Sequence, residues 1–391
     1  MKSTITVYFL KREGTLMNIL LVSGHLGLGG VQKMVTILGE ELSQRNNVYY
    51  YSIDKSELFW NIKKKNHILY GPAKNKINQL LKKIYKYSLI MAGRNFNINI
   101  VQSQFVDDLL ERIHQKKINV LILTSDYQFA AIPIIKKKFP NLKIISWVHE
   151  THESLEHTTR HYRDYFNKGI LESDYVVCLV RENYDYFSRL NKHCLIIPNI
   201  VSLNNYNKVS DLDSLNISFT SRISFEYGIK GIDVLLEVIK LLPLKYKISF
   251  AGGGSPKDEA KFNKRIELEK LSDRISLKGV LKGNELLNHY WDSSIFISTS
   301  RSESFSLVIL EAMTIGLPIV AFSTSGARYL LDNGKYGILV DQGNVKEFAE
   351  QCNRLMCDKA LLRHYQNLSL KRAKDFSLDK SMQKWSSLLT E

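Results

Sequence analysis

Two successive runs of short apolar strands, each alternating with helical stretches, constrain this chain more than any other feature. In the first half the strand patterns fall at 18–23, 48–53, 120–124, 143–148, 175–179 and 195–197, with helical periodicity over stretches such as 30–42, 107–116 and 182–190. Alternation of this kind implies a parallel sheet covered on both faces, because a parallel crossover needs a helix's length of chain. Pro198-Asn199 and a polar stretch from Asn204 to Ser214 interrupt the pattern. It then starts afresh, with strands at 216–220, 247–251, 275–277, 295–298, 319–322 and 338–340 and helices over 231–242 and 257–271. Two such halves predict an α/β protein of two doubly wound domains facing each other across a cleft, with ligands at the carboxyl ends of the strands. The tail, 378–389, reads as an amphipathic helix with Met382, Trp385, Leu388 and Leu389 on one side.

At 391 residues the chain is too long for one ordinary core. No apolar run approaches the roughly 18 residues needed to span a bilayer. Residues 1–16 lack the apolar core and cleavage site of a signal peptide, and Met17 opens the first strand, so they read as an appendage or an early start. Cys178, Cys194, Cys352 and Cys357 form no CxxC pair and fit a reducing cytosol. The net charge of +15 is uneven: residues 1–200 hold 28 Lys/Arg against 17 Asp/Glu, and residues 61–94 hold nine basic residues and no acid. Such a field attracts membrane lipids, nucleic acid or phosphorylated substrates. Within it Ile77, Leu80, Leu81 and Ile84 recur at helical spacing among Lys82, Lys83 and Lys86, which suits an anionic membrane surface or a helix packed on the first domain. No nucleic-acid-binding module is evident, and no nucleic acid is expected.

The stretch Ser300 to Met313 is the strongest candidate site. An apolar strand leads to a polar loop with Glu303, then to an apolar helix predicted over 305–315 that carries Glu311 and is stopped by Gly316 and Pro318. The amides of Phe305, Ser306 and Leu307 would be free to bind phosphate oxygens, with one glutamate at the helix tip and the other a few turns down. Arg222 ends another strand, and Lys230-Gly231 opens the helix that follows; together they suit a diphosphate, or are two solvated surface cations. The loop Gly24 to Lys33, with Gly29 and Gly30, allows close backbone approach to a phosphate or sugar, or is a flexible turn. Gly252-Gly253-Gly254 reads the same two ways. His149 ends a strand and can bond a substrate hydroxyl or shuttle a proton, or is structural. His152, His157 and His161 miss the HExxH spacing, and the single DxD, Asp211-Leu212-Asp213, lies in a polar linker, so no metal site is expected.

In combination, Glu303 and Glu311 with seven residues between, Glu311-Ala312-Met313 to Gly316-Leu317-Pro318, Arg222 with Lys230-Gly231, Gly29-Gly30 and Gly337 to Val340 resemble the retaining glycosyltransferases of family four, which have the GT-B fold of two Rossmann-like domains. The resemblance runs from Met17 onward. It implies an acceptor-side domain over 17–199, a nucleotide-sugar domain over 200–375 and a helix over 376–391 crossing back to the first. Arg222 and Lys230 would hold the donor diphosphate. Glu311 would bond the ribose, and Glu303 and His149 would contact the donor sugar. Phe305, Ser306 and Leu307 would offer amides, and Gly29 and Gly30 would close on the phosphates or acceptor. The implied catalytic residues are Glu303, His149, Arg222 and Lys230. The implied reaction is metal-independent transfer from a nucleotide-diphosphate sugar, a UDP-sugar first, to a glycan or lipid-linked acceptor, cytoplasmic or peripheral at the inner face of the membrane. No cofactor is implied. A sugar-nucleotide epimerase of the same fold and a non-catalytic partner subunit are the alternatives. Departures from the pattern are Ser304 after the first glutamate, one glycine in Ser325-Gly326-Ala327, and a long loop, Phe225 to Gly228, before Lys230.

Overall fold

The structure, a computed structural model, describes residues 16–73, 75–201, 208–225 and 228–390. The start of the chain, the first part of the polar linker and Glu226-Tyr227 lie outside the described residues. Among the described residues, thirteen strands form two sheets. The first contains β1 (Asn18–Ser23), β2 (Asn47–Ser52), β3 (Ile68–Tyr70), β4 (Val120–Leu123), β5 (Lys143–Val148), β6 (Tyr175–Cys178) and β7 (Cys194–Ile196), in the order β3-β2-β1-β4-β5-β6-β7. The second contains β8 (Asn216–Thr220), β9 (Lys247–Ala251), β10 (Ile275–Leu277), β11 (Ile295–Ser298), β12 (Ile319–Phe322) and β13 (Ile338–Val340), in the order β10-β9-β8-β11-β12-β13. Every pairing is parallel. The central strands are buried along their length and read as near-continuous Val, Ile, Leu and Phe, as a sheet covered on both faces requires.

The elements match the sequence pattern to within a few residues, with informative exceptions. β3 is only three residues long and follows a lysine-rich stretch, so no apolar run announces it. The helix predicted from Phe305 begins at Leu307 instead, because Ser306 keeps extended backbone as its N-cap. Glu311 therefore lies on the second turn of that helix, Leu307–Thr314, nearer its tip than expected.

One apolar cluster runs through both domains, joining Ile19, Leu21 and Met34 of the first to Ile309, Leu310 and Met313 of the second. The same cluster takes in the tail helix, Leu378–Thr390. There Trp385 packs edge-on against Trp147 of β5, with ring centroids 5.0 Å apart. Lys143 Nζ donates to the last carbonyls, Leu388 and Leu389, at 3.2 Å each. A cation there satisfies orphan carbonyls and meets the negative end of the helix.

The basic helix, Lys76–Met91, is different. Asn75 caps it by accepting from the amides of Ile77 and Asn78. It has no buried residue. Tyr85, Leu89 and Ile90 touch the first domain's core, while Ile77, Leu80, Leu81, Ile84, Tyr87 and Met91 are 56% to 89% exposed. No helix among the described residues is long and apolar enough to cross a membrane.

Trp385→Ala removes the ring that seats the tail on β5 and is expected to destabilise the protein by about 3 kcal/mol or more, read by urea unfolding. An unchanged midpoint would show that the tail adds nothing to the fold.

Candidate active site

In each sheet the first strand is flanked by two others, and the strand order reverses beside it: between β1 and β4, and between β8 and β11. Such reversals open a crevice at the carboxyl ends of the strands. At the β8/β11 crevice the chain leaves β8 as Ser221-Arg222-Ile223. The Ile223 amide donates to Gly253 O at 2.9 Å, and Ile223 bridges to Gly254. The glycine triplet thus lies against the backbone that carries Arg222, whose side chain is exposed at the strand's end.

Lys230 is held by the turn that follows. Gly231 has φ +59, and a Cβ there would lie 1.9 Å from Thr299 O, so only glycine fits. Thr299 Oγ1 donates to Gly231 O at 2.8 Å, and the Arg301 amide donates to Ile229 O at 2.7 Å. The Arg301 guanidinium adds a two-pronged bond to Asp233 at 2.8 and 2.6 Å, which holds that carboxyl below its usual range despite partial burial. These bonds tie the loop after β8 to the loop after β11. Their product is an ion pair, Lys230 Nζ to Glu303 Oε1 at 2.5 Å, in which Ser300 Oγ also donates to Oε1 at 3.0 Å.

Past Glu303 the loop meets the helix Leu307–Thr314. The Glu303 carbonyl accepts from the Gly326 amide at 2.8 Å. Phe305 turns its ring into the core against Phe376 and Tyr329, leaving its backbone to shape the loop. The first amides of the helix have no partner within it and carry its positive end. The hydroxyls of Ser304 and Ser306 are buried there and bond to no protein group. Gly30 sits opposite: a Cβ on it would lie 3.2 Å from Leu307 Cδ1, so the start of helix Gly30–Leu42 abuts the start of helix Leu307–Thr314 across the domain boundary. Gly29 is the extended N-cap of the first of these.

Glu311 is the site's second carboxylate. Its Oε1 is paired with Lys33 Nζ from the first domain, and its Oε2 accepts from Tyr290 OH at 3.1 Å. A second pair between the domains joins Arg328 to Glu182 through Nε and Nη2 at 3.0 and 2.8 Å. His149, at the end of β5, stacks obliquely on Trp147 at 4.4 Å. Its Nε2 is covered and unbonded, and burial lowers its pKa to about 3, so the ring is neutral. Arg222 and His149 make no bond to the other site residues.

Residues 208–372 match the family described as Glycosyl transferases group 1. The match lies in the second domain and takes in Arg222, Lys230, Glu303 and Glu311. An uncharacterized glycosyltransferase of Haemophilus influenzae is 25% identical over 375 residues, spanning 92% of this chain and 96% of its own. The amylovoran biosynthesis glycosyltransferase AmsD of Erwinia amylovora is 21% identical over 382 residues, spanning 95% and 99%. The crystal structure of Anabaena HepE in complex with UDP superposes with a TM-score of 0.76 at 16% identity, over 96% of this chain and 100% of that one. The architecture is therefore GT-B: two Rossmann-like domains, the second carrying Arg222, Lys230, Glu303 and Glu311, and the first carrying Gly29, Gly30 and His149.

Sequence reasoning missed Lys33, Tyr290 and the two serine hydroxyls. Lys33 follows the glycine pair by one turn, which is the only local sign of it; its partner is 278 positions away. Of the zinc-like histidines, His157 and His161 both bond to Arg160, which lies between their rings. Asp213 of the DxD pairs with Lys359 at the surface.

Next to Tyr290 in helix Asn284–Trp291, His289 is enclosed by Ser218 Oγ at 2.8 Å and Thr220 Oγ1 at 3.2 Å on Nε2 and by Ser249 Oγ at 3.1 Å on Nδ1. Burial, helped by Lys278, lowers its pKa to about 4 from 6.5. Between those values the unfolded chain binds a proton that the folded one does not, so stability is full above about pH 6.5 and falls as the pH drops toward 4. The loss attributable to His289 is about 3 kcal/mol at most. Urea unfolding from pH 7 to 4.5 should show it, and His289→Gln should reduce the dependence to what buried His149 contributes; equal slopes in both proteins would contradict the assignment.

Proposed function

We propose that the protein is a retaining, metal-independent glycosyltransferase of family four that moves a sugar from a nucleotide-diphosphate donor, a UDP-sugar, to a hydroxyl of a glycan or lipid-linked acceptor in surface polysaccharide synthesis. The observation that carries this reading is the Lys230–Glu303 pair, held where the strand order reverses, on the loops that also carry Arg222 and lead into the Leu307–Thr314 helix. AmsD, named for amylovoran biosynthesis, and HepE, solved with UDP, support the acceptor and donor classes by likeness.

In this reading the bond from the anomeric carbon to the diphosphate oxygen breaks, and the acceptor oxygen bonds to that carbon on the same face. The acceptor's proton passes to the leaving diphosphate. Arg222, Lys230, the helix amides and the Ser304 and Ser306 hydroxyls take up the charge that develops on the leaving group, which is where a polar site lowers a barrier most. Glu303, already fixed by Lys230 and Ser300, bonds the donor sugar's hydroxyls. Neutral His149 offers an unbonded nitrogen to the same sugar. Glu311 receives the ribose. Gly29 and Gly30 let the first domain's backbone close on the phosphates, excluding water.

The site of action in this reading is an anionic membrane surface on the cytoplasmic side. Helix Lys76–Met91 supports it: an exposed apolar stripe lies among lysines, in a segment without acids. Apolar insertion and attraction to acidic headgroups add in such a helix.

Arg222→Ala and Lys230→Ala are each expected to lower transfer by about 100-fold or more while the chain stays folded, and normal turnover in both would sink the assignment. Glu303→Ala should lower kcat, whereas Glu311→Ala should mainly raise the donor KM. In flotation, the protein should rise with vesicles of anionic phospholipid at low salt and not with neutral phosphatidylcholine, and Leu80→Ser with Ile84→Ser should abolish it. No flotation of the unaltered protein would remove the membrane from the account.

A further inference from the structure

Glu311 is reached from both domains. Lys33 extends from the second turn position of helix Gly30–Leu42, with its ammonium 5.3 Å from the Trp60 ring centre, and pairs with Oε1. Tyr290, 1% exposed, closes helix Asn284–Trp291 and donates to Oε2. Burial and the adjacent carboxylate push its hydroxyl far above the usual tyrosine value, so it remains a donor.

A carboxylate offers about four acceptor positions, two on each oxygen. Lys33 takes one on Oε1 and Tyr290 takes one on Oε2. One position is left on each oxygen, which is the number a vicinal diol needs. We infer that Lys33 and Tyr290 are positioning residues for the nucleotide ribose, fixing Glu311 so that one acceptor site on each oxygen remains for the 2′- and 3′-hydroxyls. The inference rests on the reading that Glu311 holds the ribose.

Its consequence is a link between the domains. Lys33 belongs to the first domain and the nucleotide site to the second, so ribose recognition is complete only while the two are in contact. The abutting helix starts at Gly30 and Leu307 set that contact. A ribonucleotide then favours the closed arrangement through the same carboxylate that Lys33 holds, and by linkage closure favours the ribonucleotide equally. A deoxyribonucleotide, offering one hydroxyl instead of two, draws less on the arrangement.

The test compares binding of UDP with dUDP, and of GDP with dGDP, by titration calorimetry. The unaltered full chain should prefer the ribonucleotide, and Glu311→Gln should remove most of that preference. Lys33→Met and Tyr290→Phe should each weaken ribonucleotide binding by about tenfold and deoxyribonucleotide binding by clearly less, since that ligand keeps one of the two hydroxyls. Lys33→Arg should keep most of the preference, and a purely structural role would not separate the two sugars. If Glu311→Gln removes the preference but Lys33→Met and Tyr290→Phe weaken both nucleotides equally, or neither, the positioning role is wrong and the ribose reading stands. If Glu311→Gln keeps the preference, or no nucleotide binds, the ribose reading itself fails and the inference falls with it.

Discussion

Parallel pairing is the constraint on which the rest depends. With every strand of a sheet running the same way, all the loops from strand to helix emerge on one edge, and the helix starts gather there with their unpaired amides. Each domain repeats this arrangement, and the contacts between the domains come from those edges: Gly30 against Leu307, Lys33 with Glu311, and Glu182 with Arg328. A single apolar cluster behind them joins the domains, so the two edges are held in contact by packing as well as by charge.

The electrostatics of the site follow from where the carboxylates lie. Glu303 and Glu311 are mostly covered, and a covered carboxylate without partners is costly. Each has a lysine and a hydroxyl: Lys230 with Ser300 for one, Lys33 with Tyr290 for the other. This neutralises both acids without using Arg222 or the helix amides, which stay available to an anion. In the proposed reaction this divides the labour between carboxylates that would hold hydroxyl groups and cations and dipoles that would hold phosphate. It also explains why the loops after β8 and β11 are tied so closely through Gly231, Thr299 and Arg301: a small shift there separates Lys230 from Glu303.

The strands of both sheets, the spacing of Glu303 and Glu311 and the placement of Arg222 after a strand and of Lys230 before a helix were legible because each leaves a local mark in the chain. Apolar runs mark buried strands, and glycine or proline marks their ends. β3 left none, being three residues beside a lysine cluster. The Lys33–Glu311 and Tyr290–Glu311 bonds were not legible, since they join residues 278 and 21 positions apart and depend on how helices pack. The exposed stripe of helix Lys76–Met91 was readable as a pattern, but a sequence does not say which of its two apolar faces meets the core; here Tyr85, Leu89 and Ile90 do.

The central claim is that a nucleotide diphosphate binds where these elements converge. A crystal structure with whichever nucleoside diphosphate binds most tightly tests it directly. The account predicts the phosphates against Arg222, Lys230 and the amides and hydroxyls at the start of helix Leu307–Thr314, with the ribose on Glu311. A nucleotide bound elsewhere, with Arg222 and Lys230 facing solvent, would contradict it.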